Sequence, residues 1–188
     1  MAELTPFQTV GPFFSIALPF EGGGTLAHAG CRGRPISIEG TVTDGAGAPV
    51  TDALIEVWQA NRGGRYAHPA DDREILLEQG FTGFGRCATG PAGEFSFRTV
   101  KPGPVPGYED TLQAPHINLT IFARGLLNRV VTRVYFPDEA AANADDPLLQ
   151  SFADERHRAT LIAKADGPGF LRFDIHLRGE GETAFLAV

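Results

Sequence analysis

The sequence predicts an all-β fold, a β-sandwich core of the kind that carries long loops, an N-terminal arm and one short helix. Three observations carry that prediction. Short apolar runs alternate with polar residues at period two. Gly 23 and Pro 14 together approach a fifth of the 188 residues and fall between those runs. Only one stretch has helical spacing.

Residues 5–14, TPFQTVGPFF, are aromatic, proline-punctuated and without strong periodicity, so they read as an arm. Such an arm lies either over its own core or on another chain. Residues 20–35, FEGGGTLAHAGCRGRP, are glycine-rich and read as a loop, which gives an arm and loop over 1–35 and a β-sandwich over 36–188, one domain overall. From Ile36 the pattern is regular. Ile36, Ile38 and Val42 share one face, DGAGAP makes a turn, and ALIEVW returns as a strand. EFSFRTV follows the turn GPAG and puts Phe95 and Phe97 on one side. KPGPVPGYEDTLQAP is a long Pro/Gly loop of the type that carries function. In QAPHINLTIFARG, period two sets His116, Asn118, Thr120, Phe122 and Arg124 against Ile117, Leu119, Ile121 and Ala123. RVVTRVYF is the next strand. One short helix is expected in DDPLLQSFADERHRATLIAK, with Asp146 as N-cap, Pro147 at the first helical position, and Leu148, Leu149 and Phe152 at helical spacing. FLRFDIHLRG closes the pattern, Leu171, Phe173, Ile175 and Leu177 alternating with Arg172, Asp174 and His176.

A net charge of -7 and a pI near 5.2 exclude a sequence-independent nucleic-acid surface, which needs clustered Lys and Arg. No apolar run approaches the roughly 18 residues that span a bilayer, so no membrane partner is expected. Two cysteines, Cys31 and Cys87, are too few for a disulfide framework, and the start MAELTPFQTV lacks a basic region followed by a long apolar run. A cytoplasmic location is the expectation. No G-x-S-x-G element is present, and Cys87 has only Arg86 nearby as an activating cation.

A His-x-His pair on a strand aims two imidazoles at one metal, but here the second place is Asn118. The sequence around it resembles the intradiol ring-cleavage dioxygenases over nearly its whole length. The segments that carry the resemblance are IEGTVTDGAGAPVTDALIEVWQANRGGRY, GFGRCATGPAGEFSFRTVKPG, APHINLTIFARG, RVYFPDEAAAN and LIAKADGPGFLRFDIHLRGEGETAFL. The resemblance implies a β-sandwich and a non-haem ferric iron held by two tyrosinates and two imidazoles, a hard-acid centre suited to phenolate oxygen. It implies cleavage of a catechol between its hydroxyls with dioxygen.

Carried over residue by residue, Tyr66 stands at the first tyrosine place and His116 at the first histidine place. Val105 stands where the second tyrosine would be, and Asn118 where the second histidine would be. Half the ligand set is absent, and the resemblance implies a non-iron, alpha-type subunit whose Fe(III) resides in a homologous iron-binding beta subunit. This chain then has no catalytic residue and no metal of its own. Thr9 and Pro12 in TVGP and Arg124 in FARG are implied to line the pocket over the partner's iron, with the small aromatic substrate protocatechuate in it. Tyr108, three residues past Val105, leaves open a self-sufficient ferric enzyme with a rearranged site, and a non-catalytic binding module is the third reading.

At about 3.3 Å of rise per residue, His116 and Arg124 are roughly 26 Å apart along a strand, too far to serve one small pocket. Arg124 either binds a carboxylate or makes a strand-end salt bridge. Phe7, Phe13 and Phe14 would expose apolar area on an isolated chain, which points to an obligate heteromer.

Overall fold

The computed structural model describes residues 4–11 and 13–187, apart from the side chain of Ser15. Two sheets face each other. The first contains β1 (Pro35–Thr43), β4 (Glu94–Val100), β9 (Lys164–Ala165), β10 (Phe170–Arg172) and β11 (Ile175–His176). The second runs β3-β2-β7-β8, with β2 at Leu54–Gln59, β3 at Phe84–Ala88, β7 at His116–Phe122 and β8 at Val130–Tyr135. The alternation seen in the sequence is the cause. Ile36, Ile38, Phe95, Phe97, Leu171 and Ile175 of the first sheet meet Ile55, Val57, Ile117, Leu119 and Ile121 of the second in one buried cluster. Burial of that apolar area is the main stabilising term, at about 25 cal/mol per Å².

β1 pairs antiparallel with β4 on one side, and parallel with β10 and β11 on the other. The expected closing strand is thus divided in two. At the division, Asp174 Oδ1 accepts hydrogen bonds from the Thr41 backbone N–H (3.0 Å) and Thr41 Oγ1 (2.9 Å), replacing a backbone acceptor with a carboxylate. Gly40 sits beside this step because a Cβ there would lie 1.8 Å from the Phe173 carbonyl oxygen.

Several short elements have too few residues to show periodicity. Four helices are found among the described residues where one was expected: α1 (Phe14–Ala17), α2 (Ala140–Asp145), α3 (Pro147–Ser151) and α4 (Glu155–Ala159). Of these α3 is the expected one, with Asp146 accepting from the Leu148 and Leu149 N–H groups and Pro147 in the first turn. The Pro/Gly loop contains a small ribbon, β5 (Val105–Pro106) paired with β6 (Leu112–Gln113). The glycine-rich segment 20–35 does more than connect. Gly23 and Gly24 accept from Arg86 and Arg98 on β3 and β4, and the Leu26 N–H donates to Arg98 while its carbonyl accepts from Thr82. This strap ties one sheet to the other and buries Leu26 in the core. Cys31 and Cys87 are free thiols.

The arm divides the two readings. Phe14 packs on Phe122 of β7, ring centroids 5.4 Å apart, whereas Phe7 and Phe13 remain 72% and 77% exposed. No described helix is long and apolar enough to cross a membrane.

Candidate functional site

The candidate residues gather at two separate ends of the second sheet, His116 and Asn118 lying on β7 at one and Arg124 following β7 at the other. At the first end, two loops are clamped together by the turn NRGGRY. The buried Asn61 accepts through Oδ1 from the Gly63 and Arg65 N–H groups at 3.0 and 2.9 Å, while its carbonyl accepts from Gly103. Gly64 has φ +85, and a Cβ on it would lie 2.1 Å from the Pro104 carbonyl oxygen. Only glycine permits that approach, which seats Tyr66 beside Val105. Both line a cavity of about 640 Å³ with Trp58, His68, Asp71 and Arg73.

Tyr66 stacks on Trp58, centroids 5.8 Å apart and rings 6° from parallel. Burial pushes its phenol above the ordinary value, against the pull of Arg133 and a hydrogen bond with Asn118. The Tyr66 N–H donates to Asp71. The Arg73 guanidinium, 2.5 Å from Asp71, holds that carboxyl well below the usual carboxylate range.

His116 opens β7 and is buried, its Nδ1 2.7 Å from the Ala114 carbonyl oxygen, an arrangement that places the proton on Nδ1. Burial, reinforced by Arg133, depresses its pKa to about 4. Asn118 lies directly across the ladder from Arg133 on β8. The Arg133 Nε donates to Asn118 Oδ1 at 2.9 Å, and its Nη1 donates to Gln113 Oε1 at 2.7 Å and to the Tyr135 hydroxyl at 3.3 Å. Tyr135 donates in turn to Asp146 Oδ1 at 3.0 Å. Sequence reasoning passed over Arg133 and Tyr135, which look like an ordinary outward pair in RVVTRVYF. Only the register of β7 against β8 reveals them.

The structure therefore brings Tyr66, Val105, His116 and Asn118 to one end of the sheet. It does not bring Tyr108 there. Tyr108 is 94% exposed at the tip of the β5–β6 ribbon, where its carbonyl accepts from Thr111. A rearranged site built on Tyr108 has no geometric support. Among the described residues no three His, Cys, Asp or Glu side chains form a group suited to a metal ion.

At the second end, Arg124 follows β7 and forms an ion pair through Nε with Asp52. The Gly125 N–H donates to Thr9 Oγ1 at 2.8 Å. Thr9 and Arg124 thus share one edge, far along β7 from His116, as the strand-length argument requires. The salt-bridge reading of Arg124 is realised, yet its side chain is still 73% exposed, so the pair does not enclose the guanidinium. Pro12 lies outside the described residues.

Residues 10–179 match the model of the family described as Dioxygenase. The chain is similar to the protocatechuate 3,4-dioxygenase alpha chain of Pseudomonas putida, 43% identical over 96% of this chain and 94% of that one. It is 42% identical to the alpha chain of Burkholderia cepacia, over 98% and 97% of the two lengths. The beta chain of the same enzyme from Burkholderia cepacia is 37% identical over 80% of this chain and 67% of its own. Among solved structures, the dioxygenase domain of a dioxygenase carbohydrate-binding protein fusion from Streptomyces sp. SirexAA-E superposes with a TM-score of 0.60. Its identity is 29%, covering 97% of this chain and 100% of that one.

Proposed function

The chain belongs to the intradiol dioxygenase family, whose members depend in general on non-haem iron, and on that premise we propose that it is the iron-free, alpha-type subunit of a protocatechuate 3,4-dioxygenase. Its partner is a homologous beta chain that holds Fe(III), and the assembled enzyme opens protocatechuate between its hydroxyls with dioxygen, giving 3-carboxy-cis,cis-muconate. The kinship of this chain to both an alpha and a beta chain supports a paired assembly.

One observation carries the reading. The residues at the family's coordinating places do not fit ferric iron, which requires anionic or strongly basic donors. Val105 has no donor atom. The Asn118 carboxamide oxygen already accepts from a guanidinium. Tyr66 is held by burial on the side of its neutral phenol.

What this chain contributes lies at the other end of the sheet. Arg124 presents an exposed guanidinium suited to an aromatic carboxylate, beside Thr9, which precedes Pro12 by three residues in sequence. These three residues wall the pocket over the partner's iron and orient the substrate's carboxylate. The exposed Leu4, Phe7, Phe13 and Ile16 on the same arm supply apolar area for the beta chain.

The test is reconstitution. Purified alone, the chain is expected to hold no iron and cleave no ring; mixed with its beta partner, it restores both visible colour and activity. Stoichiometric ferric iron with a tyrosinate charge-transfer band in the isolated chain refutes the proposal.

A further inference from the structure

We infer that Arg133 is a built-in cation standing in for the metal, and that it excludes iron from this chain even when the missing ligands are supplied. The inference rests on the iron-free reading above and asks what enforces it. Loss of two ligands explains weak binding. It does not explain a positive charge among the places that remain.

Three observations converge on Arg133. It faces Asn118 across the β7–β8 ladder, so its Nε reaches the carboxamide oxygen at the second histidine place. Its position is fixed from behind, because Nη1 donates to Gln113 and to the Tyr135 hydroxyl, and Tyr135 is anchored on the fully buried Asp146. Finally, no carboxylate forms an ion pair with it among the described residues, in a chain of net charge -7. A metal in this place would meet an uncompensated like charge and an acceptor oxygen already in use.

The chain's own sequence supplies the logic of the exchange. An asparagine oxygen accepts from a guanidinium, which a protonated imidazole cannot do. Asn118 and Arg133 thus form one unit, and the unit rather than either residue replaces the metal centre.

The experiment compares four proteins with the wild type: V105Y/N118H, V105Y/N118H/R133K, V105Y/N118H/R133Q and V105Y/N118H/R133M. Each is prepared as the full chain in the assembly in which it purifies, supplied with ferrous iron and oxidised in air. Bound iron per chain and the tyrosinate-to-iron charge-transfer band are read as increments over the wild type, so that a partner's iron cancels. Near-UV circular dichroism checks that each is folded. The first two, which keep the positive charge, should gain nothing. The two neutral triples should each gain about one iron per chain together with the band, the full set of four donors then being free. Two neutral replacements are used so that a folding failure in one leaves the other to decide.

Iron in V105Y/N118H at the level of the neutral triples, with none in the wild type, overturns the role given to Arg133 while leaving the iron-free reading intact. A folded neutral triple that gains no iron also overturns it. Iron at this site in the wild-type chain brings down the iron-free reading itself.

Discussion

The Tyr135 hydroxyl donates a 3.0 Å hydrogen bond to Asp146 Oδ1, joining two fully buried groups eleven residues apart. Asp146 accepts three further bonds, from the N–H groups of Ala114, Leu148 and Leu149. One carboxylate therefore caps α3, fixes the approach to β7 and steadies the network behind Arg133. Replacing it with alanine strands several buried donors at once, and D146A should cost about 3 kcal/mol or more. Y135F removes the bond to Asp146 and the longer one from Arg133 but leaves Asp146 its three backbone donors, and should cost about 1 kcal/mol. Denaturant unfolding of both variants tests the ranking, and equal losses would contradict it.

Two glycines with positive φ separate backbone strain from steric contact. Gly47 has φ +79 and nothing within 4 Å of where a Cβ would sit, whereas Gly64 has φ +85 and the Pro104 carbonyl oxygen at 2.1 Å. G47A should lose about 1 kcal/mol, the ordinary penalty of the left-handed region. G64A should lose about 3 kcal/mol, since the loops of Tyr66 and Val105 must also part. Thermal melts of the two variants under one buffer decide the matter; a G64A protein as stable as G47A would mean that the clamp does not exist.

His116 makes stability depend on pH in a definite direction. Its folded pKa of about 4 lies below the unfolded value of 6.5, so between these the unfolded chain binds more protons. The native state has its full advantage above pH 6.5 and loses it progressively as the pH falls toward 4. Between about pH 7 and pH 4.5 the loss should reach about 2 kcal/mol. Subtracting the same titration measured on H116Q removes the contribution of carboxylates. A difference that stays flat across that interval would show that His116 is not kept neutral by burial.

Arg124 separates function from stability. Its ion pair with Asp52 is exposed and should contribute at most about 1 kcal/mol, so R124A should unfold almost as the wild type does. In the reconstituted enzyme, R124A should raise KM for protocatechuate by about tenfold or more, the loss of one charge-assisted contact. Catechol, which lacks the carboxylate, should show little change. If both substrates suffer equally, the guanidinium does not read the carboxylate.

The long alternating runs were legible because the core dictates them. Ile36 through Val42, Phe95 and Phe97, and Leu171 through Ile175 occupy one buried cluster as their period requires. The Asp146–Pro147 start of α3 was legible because capping chemistry is local. The separation of His116 from Arg124 followed from strand rise alone. By contrast β3, β5 and β6 lie in Gly- and Pro-rich sequence, and α1, α2 and α4 span at most six residues each. Such elements exist by tertiary contact rather than by pattern. The meeting of Tyr66 with Val105 depends on Gly64 against Pro104, forty residues away, and the pairing of Asn118 with Arg133 on a register no local motif encodes.

The parallel pairing of β1 with β10 and β11 has a consequence for biosynthesis. A chain emerging from the ribosome amino end first can zip β1 to β4 once residue 100 is free, but β1 keeps a bare edge until residues 170–176 leave the exit tunnel. Through that interval the nascent polypeptide displays an unsatisfied ladder of amides and carbonyls, the situation in which sheet proteins aggregate. Translation that stalls before Phe170 would prolong this exposure, and holdase chaperones would find their binding site on β1.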